Sequence, residues 1–192
     1  YKRLSLNNRA AVVGAVGYVK EALVAAREAE ELYRGLAKAS PQADAPYLAG
    51  SLNNLAAFLS AVGERNEAVV AAREAVELYR GLAKASPAVY TPDLAMSLNN
   101  LASCLSAVGE RNGALVAARE AVELYRGLAK ASPAVYTPDL AMSLNNLATL
   151  LSAVGELIEA LVAALEAVEL LRALAQASPH AYNSGPAGSL NN

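Results

Sequence analysis

The sequence predicts an all-α fold, a solenoid of antiparallel helix pairs, and three observations carry that expectation. The tetrapeptide Ser-Leu-Asn-Asn begins at Ser5, Ser51, Ser97, Ser143 and Ser189, a constant spacing of 46 residues. Each period holds two long stretches of helical apolar periodicity, parted by an Ala-Val-Gly step and closed by a Ser-Pro step. Hydrophobic residues make up 55% of the chain; alanine dominates them, Trp is absent and Phe58 is the single Phe. Such a composition favours helices that approach closely through small side chains.

The spacing divides the chain into four full repeats, 5–50, 51–96, 97–142 and 143–188, with 189–192 opening a fifth. All 192 residues are read as a single repeat domain, long enough to bury a core. The second and third repeats differ only at Ala57/Ser103, Phe58/Cys104, Glu67/Gly113 and Val69/Leu115. A period held this strictly signals a solenoid, in which each repeat buries its apolar face against its neighbours.

The helix pair around the third Ser-Leu-Asn-Asn, which starts a few residues before Ser97, justifies the elements in order. Thr91 is positioned to cap a first helix, with Pro92 in its first turn and Asp93 near the positive end of the dipole. That helix runs to Gly109, a residue suited to a left-handed cap. On a helical wheel Leu94, Leu98, Leu101, Leu105 and Val108 share one face; Met96, Asn99, Asn100, Ser103 and Ser106 share the other. Asn112 is the expected cap of a second helix, which ends before Ser132-Pro133. Within it, Arg119 and Glu123 stand one turn apart, a spacing for modest surface pairing.

With Leu98, Leu101, Ala102, Leu105, Gly109, Ala114, Ala118 and Ala121 in place, the pattern resembles the tetratricopeptide signature, and it covers nearly the whole chain. Two departures, a period of 46 instead of the usual 34 and Arg126 where the motif has its closing proline, point to a longer second helix. The sequence therefore looks like the long-repeat, kinesin-light-chain-like branch. The resemblance implies a right-handed superhelix whose first helices line a concave groove. Similar long repeats occur in multidomain bacterial and fungal proteins beside signalling NTPase or protease-like modules. The absence of an initiator Met also reads as a piece of a longer chain.

Several function classes are disfavoured. Sixteen basic against 18 acidic residues leave a net charge of −2, against the clustered Lys and Arg of a nucleic-acid surface. The most apolar stretch, 157–175, is interrupted by Glu159, Glu166, Glu169 and Arg172, so no membrane span is expected. Cys104, the single cysteine, suits a reducing, cytoplasmic setting, and Phe58 and Leu150 at its register mark it as a buried small hydrophobe. His180, the single His, falls in a loop where earlier repeats have Ala88 and Ala134. With one His and one Cys no soft-ligand metal cluster forms, and glycines occur singly, unlike a phosphate loop. No enzyme, cofactor or metal is expected.

The feature that invites a function is the asparagine pair of each repeat: Asn7-Asn8, Asn53-Asn54, Asn99-Asn100, Asn145-Asn146 and Asn191-Asn192. Asparagine costs about 0.5 kcal/mol against alanine inside a helix, so two adjacent ones need a reason. One reading is peptide binding, because a carboxamide both donates to and accepts from an extended backbone whatever its side chains. The other is structural, with one Asn bonding a neighbouring element and fixing repeat-to-repeat geometry; a division of labour within the pair is the third. On the binding reading the groove residues are Asn53, Asn54, Asn99, Asn100, Ser103, Asn145, Asn146 and Thr149. Around them lie Gly50, Ala57, Met96, Ala107, Met142 and Ser152, with no Lys or Arg, so the ligand is met by hydrogen bonds and shape and not by a carboxylate clamp. The expected function is a non-catalytic protein-interaction module that holds an extended peptide or partner segment. The alternative is a structural spacer or self-assembly scaffold within a larger multidomain signalling protein.

The fourth repeat departs from the others in one direction. Its second helix carries Ile158, Leu165 and Gln176 where the third has Asn112, Arg119 and Lys130, and Leu157 replaces Arg111. Terminal repeats of a solenoid usually become more polar. Leu157, Ile158 and Leu165 are therefore expected to be covered, by further chain or by a second copy. Self-association through the fourth repeat is one form of that cover. Stacking of chain ends is another, since residues 1–4 bring two positive charges and the fourth repeat has an excess of three negative ones.

Overall fold

The computed structural model describes residues 19–177, and among these it contains seven α-helices and no strand. They are α1 (Val19–Ala39), α2 (Pro41–Val62), α3 (Arg65–Ala85), α4 (Pro87–Ala107), α5 (Arg111–Ala131), α6 (Pro133–Ala153) and α7 (Leu157–Ala177). Helices α2, α4 and α6 are the first helices of their repeats, and α1, α3, α5 and α7 are second helices. The chain divides into two compact bodies, Tyr1–Ala121 and Val122–Asn192, with the boundary inside α5.

In the first body α1 packs on α2, α2 on α3 and α3 on α4, and the two first helices α2 and α4 also touch. In the second body α6 packs on α7. The second helices present alanines at helical spacing: Ala22, Ala26 and Ala29 in α1, and Ala68, Ala72 and Ala75 in α3, none more than 1% exposed. These small residues let the helices close on the leucines of the first helices, among them Leu52, Leu59, Leu98 and Leu105, all buried. Tyr33 and Tyr79, near the ends of α1 and α3, are buried as well, and Tyr33 stacks on Tyr47 of α2.

Each first helix ends as the sequence predicts. Gly63, Gly109 and Gly155 have φ of 87°, 83° and 88°, the left-handed cap that glycine adopts without a Cβ penalty. The amide of the following glutamate reaches back to close the helix: Glu64 to Leu59, Glu110 to Leu105 and Glu156 to Leu151, at 2.9 to 3.0 Å.

The helix starts differ from expectation. The first helix of the third repeat begins at Pro87, not at Thr91, and Pro92 lies inside it. Pro87 has the fixed φ and missing N–H that suit a first helical position, and the Ser86 carbonyl accepts from the amides of Val89 and Tyr90. Thr91 therefore caps nothing; its hydroxyl donates to the Pro87 carbonyl at 2.7 Å. The second helix starts at Arg111, which places Asn112 in the first turn and not at the cap. The extra residues of the 46-residue period are thus shared by both helices of the pair, α4 and α5 having 21 residues each, and do not go to the second alone.

Candidate interaction surfaces

The two asparagines of a pair take different environments because adjacent helical residues are about 100° apart on the wheel. Asn53 is 4% exposed and Asn99 7%, whereas Asn54 and Asn100 are half-buried. In the first body Asn53 Nδ2 donates to Ser97 Oγ at 2.6 Å, which joins α2 to α4, the first helix of the next repeat. Ser97 is fully buried, and its equivalent Ser51 donates its own hydroxyl to the Leu48 carbonyl at 2.8 Å. The leading Asn53 thus faces its neighbouring helix and not solvent. The wheel had put Asn99 on an open face because it treats a helix as packed on one side; Ala95, Ser97, Leu98, Asn99 and Leu101 of α4 are all buried.

What remains open on α2 and α4 is uncharged. Asn54 and Asn100 are accompanied by exposed Ala57, Ala61, Ser103 and Ala107, and Met96 is 41% exposed. The only ionisable groups of the Asp, Glu, Lys and Arg kinds on these helices are Asp44, which is buried, and Asp93, which is half-buried and whose carboxyl is raised above its ordinary value by burial. In the second body Asn145, Asn146 and Thr149 of α6 are all exposed, and the Thr149 hydroxyl donates to the Asn145 carbonyl at 3.0 Å. A depression of about 660 Å³ runs beside them, lined by Asn145, Ala148 and Thr149 of α6 and by Ala160 and Ala164 of α7, among others. The pairs Asn7-Asn8 and Asn191-Asn192, Ser189, His180 and residues 1–4 lie outside the described residues.

The charged residues gather on the second helices, where they form rungs between repeats that sequence reading missed. In the first body Arg34 binds Glu74 through its two terminal guanidinium nitrogens, at 2.6 and 2.8 Å, and also pairs with Glu30 through Nε; Arg80 binds Glu120 at 2.6 Å. Arg126 repeats the arrangement with Glu166 at 2.6 Å in the second body. A parallel set joins Arg27 to Glu64 and Glu67, and Arg73 to Glu110. The carboxylates hold the Arg27, Arg34, Arg80 and Arg126 guanidinium groups above their ordinary values, against the opposing effect of burial. Glu123, expected to pair with Arg119, bonds Arg126 at 2.7 Å. The missed signal was arithmetic: Arg34, Arg80 and Arg126 each precede a glutamate by 40 residues. A smaller cavity of about 350 Å³ in the first body lies beneath the Arg34–Glu74 rung, over Leu52, Leu55 and Leu59.

On α7 the substituted residues are open: Ile158 is 82% exposed, Leu157 65% and Leu165 54%. Cys104 is buried as expected, and burial pushes its thiol up. Among the described residues no three His, Cys, Asp or Glu side chains gather as metal ligands, and no helix is long and apolar enough to cross a membrane.

Comparison with known proteins agrees with this architecture. A family model described as tetratricopeptide repeat matches residues 48–85, 94–131 and 140–180, together more than half of the chain. Among solved structures the chain is similar to BtubC (BKLC) from P. vanneervenii, with a TM-score of 0.71 at 19% identity over 97% of this chain and 68% of that one. It is also similar to a Podosopora anserina putative kinesin light chain with nearly identical TPR-like repeats, with a TM-score of 0.63 at 20% identity over 96% of this chain and 79% of that one. A point variant of that protein gives a TM-score of 0.62 at 21% identity over the same shares. No curated protein matches the sequence. The expected fold class, an all-α solenoid of antiparallel helix pairs of the long-repeat kind, is the one these structures share.

Proposed function

Because the chain belongs to the tetratricopeptide repeat family, whose members generally serve as protein-interaction or scaffold modules, we propose that the first helices α2 and α4 of the first body form a binding face for an extended, uncharged peptide segment. The observation that carries this reading is the division within the asparagine pair. Asn53 bonds Ser97 of the next repeat, while Asn54 and Asn100 remain partly open beside Ala57 and Ser103. The second asparagines are then the contacts to a peptide backbone, and the first ones set the register between successive contacts. In the second body, taken by itself, Asn146 and Thr149 are the equivalent open residues of α6.

The absence of Lys and Arg from α2 and α4 favours a neutral segment over an acidic one, since a buried carboxylate would find no cation there. The module acts without catalysis, cofactor or nucleic acid, in the cytoplasm. Panning random dodecapeptides displayed on phage against the chain supplies ligands for the test. Asn54→Ala with Asn100→Ala removes two backbone contacts of about 1 kcal/mol each, a loss of roughly tenfold or more in affinity, with the thermal midpoint unchanged or slightly raised. Enriched peptides that bind the double variant as tightly as the parent overturn the reading, and so does a selection that enriches none.

A further inference from the structure

Helix α7 exposes more large apolar side chains than any other helix among the described residues. Leu157, Ile158, Leu161, Val162, Leu165 and Val168 are 65%, 82%, 60%, 60%, 54% and 41% exposed, whereas α3 exposes only Val70 and α5 only Val116. At about 100° per residue the six fall within an arc of about 140°, opposite the buried Ala160, Ala163 and Ala167. Glu169 and Arg172 fall in the same arc further along the helix, and both are exposed. The interior joint of the first body shows which part of such a face an adjoining repeat claims. Where α4 packs on α3, Val69 and Val76, the equivalents of Leu161 and Val168, are 7% and 1% exposed. Asn66, Val70 and Arg73, the equivalents of Ile158, Val162 and Leu165, stay exposed there. Arg73 reaches Glu110 of the adjoining repeat at 2.6 Å, a rung that Leu165 has no group to make. Ile158 and Leu165 therefore lie outside what repeat stacking covers, and their apolar character calls for an occupant of another kind.

We propose that this occupant is a second copy of the chain, paired α7 against α7 about a two-fold axis. Ile158, Leu161, Leu165 and Val168 follow the alternating three-and-four spacing of a helix-to-helix seam, with Arg172 at its end. Covering most of the six side chains removes about 500 Å² of apolar surface per copy, or about 1,000 Å² per pair, the lower limit for a specific interface. A two-fold pair sets the same patch against itself, so no second surface is required. Charge fixes the direction of the pair. Parallel helices would set Arg172 beside the partner's Arg172 and Glu169 beside the partner's Glu169. Antiparallel helices align their dipoles favourably and carry Arg172 toward the partner's Glu156. Arg34, Arg80 and Arg126, at the register of Arg172, each bind a glutamate, and the pair gives Arg172 a partner of the same kind.

Analytical ultracentrifugation of the full chain over about 1 to 200 μM tests the pairing, since an interface of this size gives a dissociation constant in the micromolar range. The mass is expected to rise to that of two chains and stop there. Ile158→Asn with Leu165→Arg restores the residues that α5 has at this register, Asn112 and Arg119, so the variant keeps its helical circular dichroism. Its dissociation constant is expected to rise at least about tenfold. Arg172→Glu is expected to weaken pairing, and adding Glu156→Arg to recover it. A monomer throughout the range overturns the proposal, because the face is then open or covered within the same chain. Unchanged association in the Ile158 and Leu165 variant overturns it too, as do growth beyond two chains and a charge reversal without recovery.

Discussion

Replacing Asn53 by alanine removes the bond from Nδ2 to Ser97 Oγ and leaves a fully buried hydroxyl without that donor. A hydrogen bond of this kind contributes about 1 kcal/mol net, and orphaning its buried partner adds about 1 kcal/mol or more. Two terms oppose the loss: alanine is the better helix former by about 0.5 kcal/mol, and the substitution also removes Asn53 Oδ1, which is buried with no hydrogen-bond partner. The expected net destabilisation is about 1 to 2 kcal/mol. Asn54→Ala, one residue along, gains the helix term and loses no buried bond, so it leaves stability level or raises it by about 0.5 kcal/mol. Urea denaturation followed by circular dichroism separates the two variants. A double-mutant cycle with Ser97→Ala should return a coupling of about 1 kcal/mol, since the two residues touch. Equal costs at Asn53 and Asn54, or no coupling to Ser97, would refute the division of roles within the pair.

Two further outcomes follow from the charged and buried groups. Arg34→Met should lower stability by up to about 1 kcal/mol at low salt, with the difference shrinking in strong salt, because the Arg34–Glu74 rung is partly solvated; a loss indifferent to salt would mean that the arginine acts through packing of its stem. Burial, then the nearby Asp93 and Tyr90, raise the Tyr79 phenol above its ordinary value of 10.0. The unfolded chain then gives up this proton first, so stability is unaffected by Tyr79 below about pH 10 and falls as pH rises beyond it. Tyr79→Phe should flatten that alkaline decline in denaturation midpoints, and an unchanged slope would exclude Tyr79 as its source.

The repeat made the helix pairs legible, and the glycine at each Ala-Val-Gly step marked the first-helix ends to within two residues. Helix starts were less legible because two prolines, Pro87 and Pro92, carry the same first-turn signature five residues apart. Only the bonding of Val89 and Tyr90 to the Ser86 carbonyl decides between them. A one-sided wheel could not anticipate that α2 and α4 bury residues toward each other as well as toward the second helices, which is why Asn99 was placed on the open face. The arginine–glutamate rungs escaped for a related reason: helical spacing directs attention three or four residues along, whereas these partners lie one repeat away. The exposed apolar residues of α7 were read as a departure in sequence. Val168 is open as well although its equivalent Val76 is buried, so its exposure does not come from its residue type.

The side-chain bonds between helices described above close loops of 37, 40 or 44 residues, less than one period. Loop-closure entropy rises with the logarithm of loop length, so each joint forms against the same entropic penalty wherever it lies in the array. No bond of this set reaches past the adjoining repeat. A duplication or deletion of one 46-residue block in the coding sequence would therefore return donors of the Arg34 and Asn53 kinds to an equivalent acceptor at the new junction, the Arg27–Glu67 bond being the exception because Gly113 stands at the register of Glu67. Length is then a quantity that recombination can change in whole steps without a compensating mutation, and the near identity of the second and third repeats is the mark such an event would leave.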